Sequence, residues 1–181
     1  MSKIFFTSDL HFGHANIIKY DNRPFNSASH MNEEIIKRWN ETVSQNDTVY
    51  ILGDISWYDD KKTIQILNRL NGHKHLILGN HDKKLGGATK CFESIKDYAE
   101  LRYEGHTFIM SHYPIHFYNH QYRGAIMLYG HVHNNKDENK VQLLKDTLNK
   151  QDIPCKMVNV GIMMWDYRPA SISQILKKAG I

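Results

Sequence analysis

An α/β (α+β) chain built as a two-sheet mixed β-sandwich flanked by helices is what this sequence predicts, and three patterns predict it. Five apolar runs of strand length each end in a short polar motif. In the first half such runs alternate with helix-like stretches, the rhythm of parallel strands joined by helical crossovers. In the second half two apolar stretches flank Glu104-Gly105, which reads as a hairpin joining antiparallel strands.

The first run, Ile4-Phe5-Phe6, leads into Thr7-Ser8-Asp9-Leu10-His11. Residues 12 to 28 are polar, with Gly13 and Pro24, and are long enough to form a functional loop. A helix is expected next. Ser29 can cap it, Glu33 and Glu34 favour its first turn, and Ile35, Ile36, Trp39 and Val43 share one face at helical spacing. Val49 to Leu52 forms the second strand and ends at Gly53-Asp54. Asp59 and Asp60 open a second helix with the stripe Ile64, Leu67 and Leu70, closed by Asn71-Gly72. Leu76 to Leu78 ends at Gly79-Asn80-His81-Asp82. The hairpin pairs Leu101 to Tyr103 with Thr107 to Met110, whose far end is Ser111-His112. Residues 113 to 125 are aromatic and polar with no clean period. Ile126 to Tyr129 then ends at Gly130-His131-Val132-His133, and residues 134 to 140 make a charged turn. Val141 to Leu148 is a short helix, Asn159-Val160-Gly161 ends a further strand, and Ile172 to Lys178 is a weak terminal helix.

Bulk composition sets the class. At 181 residues the chain fits a single domain over 1–181 with a full hydrophobic core. The net charge of +4 comes from scattered basic residues, so charge alone does not imply nucleic acid. Cys91 and Cys155 are too few for a disulfide framework or a zinc knuckle and read as packing residues of a reducing compartment. The N-terminal apolar run is too short for a signal peptide or a membrane span, which makes cytoplasmic placement, without membrane association, the expectation. Nothing in the sequence calls for an obligate protein partner. Histidine is the compositional outlier, with 12 residues, and directs attention to metal or acid-base chemistry.

The polar motifs supply the donors for such chemistry. Residues two apart at a strand exit project to one side, so Asp9 with His11, and His131 with His133, can each grip an ion. Asp54 follows a glycine and can bridge two cations through its two oxygens. Asn80 adds a neutral oxygen and His112 another nitrogen. These seven donors suit two divalent ions that share one carboxylate and keep positions open for water and substrate. Oxygen and nitrogen ligands without thiolate favour manganese, with iron, zinc, cobalt or nickel also compatible, over calcium or a structural zinc.

The pattern D-x-H, G-D, G-N-H-D, S-H and G-H-x-H, in this order over residues 9 to 133, resembles the calcineurin-like metallophosphoesterases. It looks closest to their compact bacterial and phage members, with Thr7-Ser8-Asp9-Leu10-His11-Phe12-Gly13-His14 as the opening. The resemblance implies the four-layer fold of metallo-dependent phosphatases, with two metals at one edge of the sandwich. It implies Asp9, His11 and His133 on one metal, Asn80, His112 and His131 on the other, and Asp54 as the bridging, catalytically essential carboxylate. Two such ions convert bound water to hydroxide for in-line attack on phosphorus. His81 is then the catalytic residue placed to protonate the departing oxygen or to stabilise charge. One departure stands out. The serine/threonine phosphatase branch has an Asp three residues after the bridging Asp to orient its catalytic His, and Trp57 stands there in this chain. That branch is disfavoured, and the partner of His81 is not identified by the sequence.

Substrate contacts are expected from two segments. His14, Asn16 and Arg23 lie in the loop after the first motif and could meet phosphate. Tyr113 to Arg123 follows His112 and is expected to wall the pocket, with aromatics for a base and Arg123 for a phosphate. His30, His73, His75 and His106 are read as ordinary packed or surface histidines. The function expected is hydrolysis of a phosphodiester, of a nucleotide or nucleic-acid-like substrate. A broad small-molecule phosphomonoesterase is the enzymatic alternative, and a metal-stabilised binding scaffold the non-enzymatic one.

Overall fold

Alternation within the strands decides the layering. The computed structural model describes residues 2–181. One sheet holds β1 (Ile4–Thr7), β2 (Thr48–Ile51), β3 (His73–Ile77), β4 (Ser94–Lys96) and β9 (Ala170–Ser171) in the order β4-β3-β2-β1-β9. The other holds β5 (Tyr98–Tyr103), β6 (His106–Ser111), β7 (Ile126–Tyr129) and β8 (Met157–Asn159) in the order β5-β6-β7-β8. Each sheet is parallel except for one antiparallel edge strand, β9 in the first and β5 in the second.

Successive side chains on a strand point to opposite faces. Phe6, Leu52 and Ile77 therefore meet Phe108, Met110, Ile126, Leu128 and Val158 in a core between the sheets. Their chain neighbours Phe5, Val49, Ile51 and Leu76 face outward, against Ile35, Ile36 and Trp39 of α2 (Ala28–Thr42) and Ile66 and Leu67 of α3 (Asp60–Leu67). On the far side Ile109, Met127, Tyr129 and Met157 pack with Val141 and Leu148 of α4 (Lys136–Lys150). Three cores separate four layers, helix on sheet on sheet on helix. Strands buried on both faces read as continuous apolar runs, which is why they stood out in the sequence.

Several elements differ from expectation at their ends. The first long helix is capped by Ser27, whose side chain accepts from the His30 N–H, two residues before the expected Ser29. Asp59 caps α3 as expected, but the helix ends at Asn68, before Asn71-Gly72. Gly72, at φ 90°, instead forms the turn into β3, and Asn71 is held there by Trp39 Nε1 and Asn40. The polar loop contains a short helix, α1 (Ala15–Tyr20). The charged turn 134–140 is mostly the first turns of α4, which Asn135 caps. The hairpin is present, with Glu104 and Gly105 both in the left-handed region that a tight turn demands. α5 (Ile172–Lys178) matches its expected span and owes its start to a capping box between Ser171 and Gln174. Among the described residues no helix is long and apolar enough to cross a membrane.

Candidate metal centre

The carboxyl ends of β1, β2, β3, β6 and β7 meet at one edge of the sandwich, and each delivers one of the polar motifs. Close backbone approach makes this possible. Gly53 and Gly79 lie back to back, so that a Cβ on Gly53 would sit 2.6 Å from Gly79 Cα and from His112 Nδ1. The Asp82 carboxylate ties the same turns together, accepting from the backbone N–H groups of Asp54, Gly79 and Ile55 at 2.8, 2.8 and 3.0 Å.

Two clusters of donor atoms result: Asp9, His11 and His133 in one, Asp54, His112 and His131 in the other, with atoms in each lying within 4.8 Å of one another. The Asp54 carboxylate stands between them, its Oδ2 3.7 Å from His11 Nε2 and 3.6 Å from His112 Nε2. Asn80 Oδ1 joins the second cluster, 3.1 Å from His112 Nε2. All seven sequence-expected donors are thus gathered at one place.

The donor chemistry fits a pair of cations. His112 Nδ1 donates to the Leu52 carbonyl at 2.7 Å, so its Nε2 carries a lone pair and faces two oxygens that carry lone pairs as well. His133 Nδ1 donates to Asp21 at 2.7 Å, which leaves its Nε2 facing His11 Nε2 at 3.3 Å. At a neutral His112 such convergence of acceptors is repulsive unless a positive charge sits among them, and a cation between His11 and His133 would take the place of the one proton those two nitrogens can share. Burial pushes the His11 and His131 imidazoles below their ordinary pKa, helped by neighbouring His133 and His112 respectively, and so favours the neutral form that ligates metal. The buried Asp9 carboxyl is raised by desolvation against the pull of His133 and His112, and a cation would reverse that direction. Backbone strain marks the same residues: Asp9, His11, Asp54, His131 and His133 all have φ between 52° and 68°.

Residues not expected from the sequence support this centre. Asp21 orients His133 and is itself paired with Arg23 at 2.8 Å; those two hydrogen bonds hold its carboxyl low although burial, the largest single influence, pushes the other way. The same contact keeps the His133 imidazole high against its own burial. Trp57 stands three residues after Asp54, where the serine/threonine phosphatase branch has a carboxylate. Its ring stacks on His14 at 4.0 Å between centroids and 8° between planes, and His81 packs on it at 4.1 Å. The His81 backbone N–H donates to Asp54 Oδ1 at 3.0 Å, and its Nε2 lies 4.0 Å from Asp54 Oδ2.

The expected substrate contacts divide. His14 lines the cleft over the two clusters, and Tyr113 is exposed beside the second, its ring 4.5 Å from that of His131. Arg23 is corrected: its side chain is buried, paired with Asp21, and donates to the carbonyls of Asp9 and Leu10 at 3.0 and 3.2 Å, so it holds the ligand loop from behind. Asn16 is exposed while His14, Ile17 and Tyr20, three apart on α1, turn to the cleft. Arg123 lies elsewhere, because the 113–125 segment folds back on the hairpin: Asn119 donates to Glu100, and His120 meets Arg102 at 3.3 Å. Only the Tyr113 end of that segment adjoins the donors. His30, His73 and His75 bond to Asn26, Glu93 and Ser94, away from the centre.

The calcineurin-like phosphoesterase superfamily domain matches residues 3–173. The chain belongs to this superfamily. Its members are metal-dependent phosphoesterases that use two divalent ions, in keeping with the two donor clusters. Among relatives of this phosphoesterase, an uncharacterized protein of Methanocaldococcus jannaschii is 38% identical over 180 residues, 98% of this chain and 91% of that protein. The Gene 66 protein of Mycobacterium phage L5 is 31% identical, over 91% of this chain and 88% of its own length. A solved protein of unknown function from Aquifex aeolicus superposes with a TM-score of 0.76 at 27% identity, covering 98% of this chain and 99% of that one.

Proposed function

We propose that this protein is a dinuclear-metal phosphodiesterase acting on a nucleotide or nucleic-acid-like substrate. The supporting observation is that two clefts meet at His81. One, of about 450 Å³, covers the donor clusters and is lined by His11, Asp54, His131 and His133. The other, of about 460 Å³, shares Trp57, Asn80 and His81 with it and runs on past Ser56 and Lys83. A monoester needs space for one organic group, whereas a diester needs space on both sides of phosphorus.

Asp9, His11 and His133 would hold one ion and Asn80, His112 and His131 the other, with Asp54 shared. Bound divalent ions supply hydroxide at neutral pH and Lewis acidity toward phosphoryl oxygens, and manganese suits this oxygen and nitrogen set. His81, exposed at the junction of the clefts, gives a proton to the departing ester oxygen as its bond to phosphorus breaks. Trp57 keeps that imidazole in place by ring packing, and His14 supports the indole from its own stacked contact.

The test compares bis(p-nitrophenyl) phosphate with p-nitrophenyl phosphate, on metal-stripped protein resupplied with Mn²⁺. Cleavage of the diester that needs metal and falls in His81→Ala is expected. Turnover of the monoester alone would make the protein a phosphomonoesterase, and metal binding without turnover of either would leave a binding scaffold.

A further inference from the structure

The second cleft has a charge character that hydrolysis of a simple diester does not use. Beyond His81 its wall carries Lys83 and Lys84, both exposed, and no carboxylate lines it. Neither lysine makes an ion pair among the described residues, so both ammonium groups are free to meet an anion that enters the cleft. Two acids beside this cleft are occupied elsewhere: Asp82, next to Lys83, points inward to three backbone N–H groups, and Asp60, against Gly86, accepts from the N–H groups of Lys61 and Gly87. The aromatic faces of this cleft are also taken. Lys62 Nζ sits 4.1 Å over the Tyr58 ring, and Trp57 carries His14 and His81. What the cleft offers an incoming group is therefore positive charge, not a stacking platform.

We infer that the cleft past His81 is a subsite for a second phosphate, held by Lys83 and Lys84, on the leaving-group side of the scissile diester. This rests on the phosphodiesterase reading for the direction of departure. The leaving oxygen must lie toward the proton donor His81, so the group attached to it extends into the space that His81 shares with the two lysines. A phosphate there is the neighbouring linkage of a strand or the terminal phosphate of a short nucleotide; both present the same anion to the same ammonium groups. The subsite would select substrates that carry a further charge two ester bonds from the reacting phosphorus.

Equilibrium binding tests this without requiring turnover. On the Mn²⁺-loaded protein, thymidine 3′,5′-bisphosphate is compared with the 3′- and 5′-monophosphates, for wild type and for Lys83→Ala/Lys84→Ala. The bisphosphate is expected to bind about tenfold more tightly than either monophosphate, an advantage that shrinks with added salt and disappears in the double variant. Equal affinity for bisphosphate and monophosphates in the wild type, or an advantage that survives the double substitution, would overturn the subsite. A single-stranded hexathymidylate, bound to Mn²⁺-loaded His81→Ala so that it stays uncleaved, separates the sources: binding as tight as the bisphosphate on the same variant points to a strand, weaker binding to a short nucleotide. Hydrolysis of bis(p-nitrophenyl) phosphate, which has no second phosphate, independently judges the phosphodiesterase reading.

Discussion

At the scale of single residues, Asp54 and His81 touch through one hydrogen bond yet should fail in different ways. Asp54 stands between both donor clusters, so Asp54→Ala is expected to lose metal and activity together. His81 contributes no atom to either cluster. His81→Ala should keep its metal, measured by elemental analysis, and lose roughly 10²–10⁴-fold in kcat. Asp21 acts one step further out, through His133 Nδ1. Asp21→Asn should weaken metal affinity by about 10–100-fold, read by chelator competition, because the imidazole loses its orienting carboxylate. The seven donors were legible in the sequence because each ends an apolar run, where a polar ligand type is conspicuous. Asp21 and Arg23 were not, since a carboxylate and a guanidinium in a polar loop look the same whether they face water or are folded inward against His133 and the Asp9 carbonyl. Trp57 shows in the sequence only as a departure from a family branch, because its packing on His81 depends on a turn that brings residues 57 and 81 together in space.

Among the elements, strands were easier to read than helices. The strands that bear the site are apolar and mostly buried toward their carboxyl ends, where each run meets its polar motif. β4 and β9 were missed because they are three and two residues long at sheet edges, too short for any period to show. α4 starts five residues before the expected Val141, since Lys136 to Lys140 holds no apolar residue and the helix begins on the Asn135 cap. Arg23 ties one element to another: its guanidinium links the end of α1 to the exit of β1 while fully shielded from water. Arg23→Ala would leave the buried Asp21 carboxylate with His133 alone, without its permanently charged partner, and two carbonyls with fewer donors. A loss of about 3–5 kcal/mol in unfolding free energy is expected from a denaturant titration. An unchanged midpoint would mean that the ligand loop is held by its other contacts.

For the whole molecule, metal binding and folding should be linked. Five of the candidate ligands sit in the left-handed region, each costing about 1–3 kcal/mol, and candidate ligand atoms from both sheets crowd one another at 3.1 to 3.7 Å. The unfolded chain releases both costs and cannot assemble the donors, which come from positions 9 to 133 of the sequence. Cations therefore bind the folded state and draw the equilibrium toward it. Each ion whose free concentration is a hundredfold its Kd contributes about 2.7 kcal/mol by linkage. For a chain of this length that raises the melting temperature by roughly 5–10 °C over chelated protein. Asp54→Ala should melt at nearly the same temperature with and without Mn²⁺, because the carboxylate shared by the two clusters is gone. A wild-type melting curve indifferent to Mn²⁺ and chelator would show that the convergence of the two sheets at this edge is stable without a cation, and that the seven donors are not a metal centre.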